Sequence, residues 1–423
     1  MKLNMESQRM ELQKAAAAHV RHCRYENNYD RIIKICGVAG CGKTALAAAY
    51  VQNTKFHCYF SFQGLDQKNA LTAFKNTVSA WADVSSASNW AEVFRLLVPF
   101  FKKHTSKLVL DDMEHFKGCD AVLDAIAGLS EFLSDMKNLF FLPCRYAASF
   151  GEHQTFYLYP YDYTDIRKAV PTMAAPDVAR VYAMTGGIGR LLADYDEKES
   201  FQTNLKRWMQ PDSVYHCTMR QMVGDNFRTP ASYHGILYAI ATGQHRLSEI
   251  AKAMGVPNNQ CKTYLDALIA AGFVEVKEHR YTIVHPYTLF WHKFLYLNTG
   301  RLVTDSAALA EEIQTEADNF ALNVCMKYLL EKLPFSLHQD AVWLQGEAFD
   351  YVIRDGKKTI LVKLPEQIDW RCTKTELEKL YDSVTRFSAA FYDAEICIAS
   401  FHRFSNYCVE ESAKLGNLHL VVG

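Results

Sequence analysis

The feature that most constrains the fold of this chain is a segment that matches the pattern GxxxxGK[ST] in full. The apolar run Ile32–Cys36 leads directly into it, and an alanine-rich stretch that favours a helix follows it. A strand, a glycine-rich loop and a helix in this order direct backbone N–H groups and a helix N-terminus at phosphate oxygens. The sequence therefore predicts a phosphate-binding loop. Its predicted binding residues are Gly37, Val38, Ala39, Gly40, Cys41, Gly42, Lys43, Thr44 and Ala45.

Two side chains of this loop have specific expected roles. The ammonium group of Lys43 is expected to reach the β- and γ-phosphates of a nucleotide, which makes it a candidate catalytic residue as well. The hydroxyl group of Thr44 is expected to bind Mg²⁺. The loop therefore predicts ATP and Mg²⁺ as cofactors.

A second motif supplies the carboxylates that such a site needs. The apolar run Leu108–Leu110 ends in Asp111 and Asp112. Asp111 is predicted to hold Mg²⁺ through water, and Asp112 to orient or deprotonate the attacking water. Glu114 is the alternative residue for the second role. Because aspartate is shorter than glutamate, we expect any hydrolysis of ATP to be slow.

The first 165 residues alternate short β-rich runs with stretches long enough for a helical crossover. This alternation predicts an α/β fold with a mostly parallel sheet and helices on both faces. The predicted strands are Arg31–Cys36, His57–Phe62, Lys107–Asp112, Asn138–Pro143 and Thr155–Pro160.

Composition narrows the class of protein further. The chain has 423 residues, 49% of them hydrophobic, and a net charge of −1, so the overall charge favours neither nucleic acid nor an acidic membrane surface as a partner. No apolar run approaches the roughly 18 residues that a membrane span needs. The twelve cysteines include no CxxC pair. We expect a cytoplasmic protein with reduced thiols and no membrane partner.

With both motifs placed, the chain resembles the archaeal-type ATPases of the STAND branch of P-loop NTPases, which are relatives of the AAA+ proteins. Ser7–Leu12 resembles the helical motif that precedes the first strand in that family. Phe140–Arg145 lies where the class has an apolar strand followed by an arginine, and Tyr182–Gly189 resembles its helix–turn motif, with Gly189 in place of a proline. The resemblance implies that Arg145 senses the γ-phosphate and that the helix–turn motif packs a helical lid over the nucleotide.

The resemblance also implies four domains in this order. They are a P-loop ATPase core at 1–165, a helical lid at 166–222, a winged helix-turn-helix at 223–300 and a small α/β nuclease-like domain at 301–423.

The winged-helix region has weak features for binding DNA. From Val223 to Gly300 the chain carries seven basic and five acidic residues. On its third predicted helix the outward face offers Lys262, offset by Asp266, which is a poor surface for phosphates. An internal regulatory or protein-binding role is favoured, and nucleic acid stays open as a partner.

The nuclease-like region lacks part of the metal site of such enzymes. The resemblance puts Asp350 at the aspartate position and Lys363 at the lysine position, with Glu347 nearby. Leu361 stands where the second metal carboxylate belongs. Since Mg²⁺ needs carboxylate charge to lose its water, this domain is expected to be inactive.

The sequence supports three hypotheses about function. The first is an ATP-binding switch, or slow ATPase, whose nucleotide state controls the packing of the winged helix and the C-terminal domain, with an unidentified protein partner. The second is a non-catalytic DNA- or partner-binding module that keeps the nucleotide for structure. The third is an ATP-gated nuclease.

Overall fold

The computed structural model of the protein describes residues 6–26, 29–145, 149–333, 341–343, 348–355, 358–386 and 394–423. Its N-terminal part contains a five-stranded sheet in which every pair of neighbouring strands is parallel. The strand order is β2-β3-β4-β1-β5. The strands are β1 (Ile32–Cys36), β2 (Phe56–Ser61), β3 (Ser106–Asp111), β4 (Asn138–Cys144) and β5 (Gln154–Tyr157). The α/β class with a parallel sheet is thus confirmed.

Helices cover both faces of this sheet. Because side chains alternate across a strand, β4 serves two cores. Phe140 and Leu142 pack with α3, α4 and α5, whereas Leu139 and Phe141 pack with α1 and α2. The helices are α1 (Glu6–Glu26), α2 (Lys43–Val51), α3 (Gln67–Val78), α4 (Trp90–Lys103) and α5 (Cys119–Ala127).

Local sequence explains where two of these helices begin. The side chain of Asp66 accepts a hydrogen bond from the backbone N–H of Asn69 at the start of α3, over 2.8 Å. Asn89 caps α4 in the same way by accepting from the N–H of Glu92, over 3.0 Å. Such caps satisfy backbone donors that have no partner within the helix.

The middle of the chain is mainly helical. Its elements are α6 (Tyr163–Ala169), α7 (Ala175–Thr185), α8 (Gly189–Asp194), α9 (Phe201–Trp208), α10 (Val214–Gly224), α11 (Pro230–Ala241), α12 (Leu247–Met254), α13 (Asn258–Ala270), β6 (Val274–Lys277), β7 (Arg280–Ile283), α14 (Pro286–Phe290) and α15 (Thr299–Thr304). The strands β6 and β7 form an antiparallel hairpin after the three helices α11 to α13.

The C-terminal part contains a second, mixed sheet of order β12-β11-β10-β9-β8. The strands β8, β9 and β10 pair antiparallel, and β10, β11 and β12 pair parallel. Its elements are α16 (Ser306–Leu330), β8 (Ala341–Trp343), β9 (Tyr351–Asp355), β10 (Lys358–Lys363), α17 (Lys374–Arg386), β11 (Glu395–Ser400), α18 (Asn406–Leu415) and β12 (Leu418–Val422).

Apart from a separate core on one face of the C-terminal sheet, one continuous hydrophobic core joins the parts of the chain that follow the first sheet. Among its buried members are Trp208 of α9, Leu237 of α11, Phe320 of α16 and Val362 of β10. The two cores of the first sheet are separate from it. The helical middle and the C-terminal sheet are therefore packed together as one unit beside the first sheet.

An ion-pair cluster reinforces this unit. The buried guanidinium of Arg180 in α7 lies 2.8 Å from a carboxylate oxygen of Asp177 and 2.7 Å from one of Asp318 in α16. It also contacts Asp369, which follows β10. Arg180 thus ties α7 to both parts of the C-terminal region.

Among the described residues, none of the helices combines the length and the apolar character that crossing a membrane requires.

Candidate functional site

The glycine-rich segment forms the loop between β1 and α2 at the carboxyl end of the first sheet. Gly42 has a φ of 105°, a conformation that residues with a side chain rarely adopt. At Gly37, an added Cβ would lie 2.4 Å from the backbone oxygen of Leu158. The Nζ of Lys43 turns back over the loop and donates to the carbonyl oxygens of Gly37 (2.7 Å) and Val38 (3.0 Å). The predicted binding residues therefore share one compact loop at the N-terminus of α2.

The structure brings Thr44 and Asp111 together. The Thr44 hydroxyl donates to Oδ2 of Asp111 over 2.6 Å. Its proton is thereby directed to the carboxylate, which leaves the lone pairs of the Thr44 oxygen available to a cation. A hydroxyl beside a carboxylate matches the hard oxygen ligands that Mg²⁺ prefers. The donor set present thus fits the predicted metal ion.

Asp111 receives two further hydrogen bonds that the sequence analysis missed. The Tyr59 hydroxyl of β2 donates to the same Oδ2 over 3.0 Å, and the backbone N–H of Asp112 donates to Oδ1 over 2.9 Å. Asp111 itself is only 5% exposed. Charge-assisted hydrogen bonds of this kind stabilise a buried carboxylate.

Asp112 follows Asp111 and, like it, accepts a hydrogen bond from a hydroxyl group of β2. Its φ of 60° is in the left-handed region, which is uncommon for a residue other than glycine. Its Oδ2 accepts a hydrogen bond from the Ser61 hydroxyl at the end of β2, over 2.7 Å. The carboxylate that is predicted to orient water thus lies at the carboxyl end of the sheet, where a hydroxyl group of β2 donates to it.

The predicted sensor Arg145 directly follows β4 and contacts both Glu114 and Asp225. Its backbone N–H donates to Oε1 of Glu114 over 2.9 Å. Its guanidinium donates to the backbone oxygen of Asp225 over 3.1 Å and to the carboxylate Oδ2 of that residue over 3.0 Å. Asp225 is the residue that follows α10. Arg145 therefore bridges the first sheet and the helical middle of the chain.

Glu114, the alternative residue for positioning water, is occupied by structural contacts. Besides the N–H of Arg145, its Oε1 accepts a hydrogen bond from the Ser149 hydroxyl over 2.6 Å. Both partners belong to the segment after β4. The carboxylate of Glu114 is thus bonded to the segment that follows β4, whereas that of Asp112 is bonded to β2.

The turn between α7 and α8 packs directly on the phosphate loop. The backbone N–H of Arg190 donates to the carbonyl oxygen of Gly40 over 2.9 Å. Gly187 approaches Tyr161 so closely that an added Cβ would lie 1.6 Å from its backbone oxygen. At Gly189, an added Cβ would be 3.3 Å from the carbonyl oxygen of Cys41. Gly187 thus permits close packing of this turn on Tyr161, and Gly189 lies at the contact between α8 and the loop.

Leu361 occupies the position in β10 at which the resemblance puts a second metal carboxylate. Leu361 is 4% exposed and packs in an apolar core with Ile396. The Nζ of Lys363 lies 2.6 Å from Oε1 of Glu366 and 3.7 Å from Oδ2 of Asp350. Glu347 lies outside the described residues. Elsewhere in the described parts of the chain, no group of three or more histidine, cysteine, aspartate or glutamate side chains could hold a metal ion.

The exposed charges of α13 neutralise one another. Lys262 forms an ion pair with Asp266 one turn further along the helix. The hydrogen bond from Lys262 to that carboxylate raises the pKa of the lysine. The basic residue that would face a nucleic acid is therefore already paired.

A parallel sheet with a glycine-rich loop between one of its interior strands and a helix defines a P-loop NTPase fold. No protein-family model matches the chain. The chain is 24% identical over 404 residues to the Methanocaldococcus jannaschii protein named Uncharacterized protein MJECL04. The aligned region covers 86% of this chain and 88% of that protein.

Two solved structures resemble this chain over most of their own length. The Walker-type ATPase PABY2304 of Pyrococcus abyssi matches 69% of this chain and 96% of its own length, with 14% identity and a TM-score of 0.51. The Aeropyrum pernix ORC2 protein matches 73% of this chain and 94% of its own length, with 14% identity and a TM-score of 0.46. The first of these similarities supports the P-loop ATPase fold.

Proposed function

We propose that this protein is an ATP-binding switch, or a slow ATPase, in which the nucleotide controls how the region after the first sheet packs on that sheet. The observation that carries this proposal is the position of Arg145. Its backbone contacts Glu114 in the first sheet's domain, and its guanidinium contacts Asp225 at the end of α10. A group that draws the guanidinium away from Asp225 changes the contact between the two regions.

The loop residues carry the binding step. Lys43 has a mobile ammonium group that can exchange its two carbonyl partners for phosphate oxygens, which are stronger acceptors. Thr44 and Asp111 are held together and offer their oxygens to Mg²⁺. Hydrolysis would break the phosphoanhydride bond between the β- and γ-phosphates of ATP. Asp112 is the residue that would orient or deprotonate the water that attacks the γ-phosphate.

Competition for the guanidinium of Arg145 is the proposed basis of the switch. A guanidinium forms paired hydrogen bonds with phosphate as well as with carboxylate. The γ-phosphate that Arg145 is proposed to sense and the carboxylate of Asp225 therefore compete for the same donors. Binding of ATP loosens the contact with Asp225, and loss of the γ-phosphate restores it.

The packing of the helical middle against the C-terminal region supports transmission of this change to the C-terminal sheet. The segment that contacts Gly40 of the loop directly follows α7. The same helix carries Arg180, whose guanidinium contacts Asp318 and Asp369 in the C-terminal region. The helices and the C-terminal sheet also share one core. A shift at the loop is therefore expected to move this whole region as a body.

The proposed division into domains keeps the boundaries expected from the sequence: core 1–165, lid 166–222, winged helix 223–300 and nuclease-like domain 301–423. The order of α11, α12, α13 and the β6–β7 hairpin supports the winged helix. The pairing of Lys262 with Asp266 favours a protein partner over nucleic acid. The buried Leu361 favours a C-terminal domain without nuclease activity.

Hydrogen–deuterium exchange tests the switch. The exchange rates of residues 186–195 and 219–227 would be compared in the presence of Mg²⁺ with ADP or with a non-hydrolysable ATP analogue. We expect faster exchange at residues 219–227 with the ATP analogue, and no such difference in Arg145→Ala. Identical exchange in both nucleotide states of the wild type would contradict the switch and favour a structural nucleotide. A DNA titration of the same samples checks the alternative of a DNA-binding module.

A further inference from the structure

The strand β2 presents two hydroxyl groups to the paired aspartates. Tyr59 and Ser61 are two residues apart and lie on the same face of this edge strand, whereas Cys58 and Phe60 are buried on the other face. In the register of the sheet, Ser61 pairs with Asp111 of the neighbouring strand β3. The two hydroxyls therefore lie beside the acidic end of β3.

Each hydroxyl serves a different carboxylate. The Tyr59 hydroxyl donates to Oδ2 of Asp111 over 3.0 Å, and the Ser61 hydroxyl donates to Oδ2 of Asp112 over 2.7 Å. The side chain that is expected to hold Mg²⁺ and the side chain that is expected to act on water are thus positioned by separate donors of one strand. Removing one hydroxyl disturbs one carboxylate and leaves the bond of the other intact.

Tyr59 donates to the same carboxylate oxygen as Thr44, the other expected metal ligand. The same Oδ2 atom of Asp111 accepts hydrogen bonds from Thr44 over 2.6 Å and from Tyr59 over 3.0 Å. Two donors from different elements, α2 and β2, fix the direction of the carboxylate. With Oδ1 bonded to the N–H of Asp112, the side chain of Asp111 is held in one orientation.

The hydroxyl of Tyr59 can be removed with little disturbance of the packing. The residue is 42% exposed, so replacing its hydroxyl by hydrogen leaves no buried cavity.

We propose that Tyr59 is a positioning residue for the Mg²⁺ site and acts by holding Asp111 against Thr44. This inference rests on the nucleotide site proposed above. Tyr59 is then expected to affect the part of the nucleotide affinity that depends on Mg²⁺. The part that does not depend on Mg²⁺ comes from the glycine-rich loop.

The experiment measures binding of a fluorescent ADP analogue while Mg²⁺ is titrated, with EDTA as the metal-free reference. In Tyr59→Phe we expect unchanged affinity in EDTA and a Mg²⁺ midpoint raised about threefold to tenfold, the effect of losing one hydrogen bond. Tyr157→Phe is the matched control, because Tyr157 is 50% exposed on β5, the opposite edge strand of the same sheet. We expect it to behave as the wild type does.

Ser61→Ala separates this role from general disturbance of β2. We expect its Mg²⁺ midpoint to stay at the wild-type value while turnover of ATP falls. Of the two aspartates, Ser61 donates to Asp112 and not to the expected metal ligand Asp111. A wild-type midpoint in Tyr59→Phe, or an equal loss of affinity in EDTA, would overturn the inference and leave the proposed function intact. Absence of Mg²⁺-dependent binding in the wild-type protein would overturn both.

Discussion

Arg145, at the end of β4, donates two hydrogen bonds to Asp225, eighty residues further along the chain at the end of α10. One of these bonds goes to a carboxylate oxygen and the other to a backbone oxygen. Because Arg145 also contacts Glu114, it is a direct link between the first sheet and the region that follows it. The contact is partly accessible to solvent, so it can be exchanged for another anionic partner.

Removing the carboxylate charge of Asp225 should loosen this link. In Asp225→Asn we expect the guanidinium of Arg145 to be freer for a phosphate, so that affinity for ATP rises by about twofold to fivefold relative to ADP, the scale of a partly exposed ion pair. Calorimetric titration with each nucleotide measures the ratio. Asp212→Asn, an exposed change just before α10, is the control. An unchanged ATP/ADP ratio in Asp225→Asn would argue against competition for Arg145.

Asp112 should affect turnover more than binding. Asp112→Asn keeps the shape of the side chain but removes its charge, so we expect normal ATP affinity and hydrolysis at least ~10-fold slower. Single-turnover hydrolysis with a known excess of protein measures the rate. If the variant hydrolyses ATP as the wild type does, Asp112 is not the water-activating residue, and Glu114 becomes the candidate despite its contacts with Arg145 and Ser149.

Arg180 should contribute to stability across the C-terminal unit. Arg180→Ala leaves Asp177, Asp318 and Asp369 without their shared cation, and we expect the free energy of unfolding to fall by about 2 kcal/mol, since the cation is buried but its partners are partly exposed. Chemical denaturation measures this loss. Lys206→Ala, which breaks an exposed pair of 3.3 Å with Glu311, should cost less than about 0.5 kcal/mol. Equal losses in the two variants would show that burial of Arg180 has no special effect.

Buried histidines should make the protein less stable at acidic pH. Burial lowers the pKa of His216 and of His234 to about 4, and that of His292 to about 3, from the ordinary value of 6.5. Below pH 6.5 the unfolded chain therefore binds protons that the folded chain excludes. Each histidine then lowers the free energy of unfolding by up to about 1.4 kcal/mol per pH unit until its folded pKa is reached.

Denaturation at several pH values checks this titration. In His216→Gln we expect the slope of unfolding free energy between pH 6 and pH 5 to be shallower by about 1.2 kcal/mol per unit. His402→Gln, at a partly exposed histidine beside Asp369, is the control. A slope that does not change in His216→Gln would mean that this histidine is protonated in the folded protein.

The full chain should not cleave DNA with Mg²⁺ or Mn²⁺. The buried Leu361 leaves the site without a second carboxylate, and the ammonium of Lys363 is paired with Glu366. A gel assay with supercoiled plasmid measures cleavage. Cleavage that disappears in Asp350→Ala would establish a metal site here and favour the ATP-gated nuclease. Cleavage that survives in Asp350→Ala would have a source other than this site.

Local features of the sequence were sufficient for the first sheet and its loop. The glycine-rich loop follows β1 and the pair Asp111–Asp112 lies at the end of β3, and parallel strands bring their carboxyl ends to one edge of a sheet. The pairing of Thr44 with Asp111 follows from that geometry.

Contacts between distant segments could not be predicted in the same way. Nothing in the segment around Asp225 distinguishes it from an ordinary helix end, and its role depends on the placement of α10 beside β4. The only indication in the sequence was that Tyr59 and Ser61 place two hydroxyl groups at alternate positions of β2. Their acceptors became apparent only from the order of β2 and β3 in the sheet.

Binding of ATP at the glycine-rich loop is the central claim, and calorimetry of Mg·ATP with the wild type and Lys43→Ala tests it most directly. Lys43 provides the ammonium group that is expected to hold the phosphates, so its removal should weaken binding at least ~100-fold. Lys102→Ala, an exposed lysine of α4, is the control and should bind as the wild type does. Equal affinity for ATP in Lys43→Ala and the wild type would contradict the account.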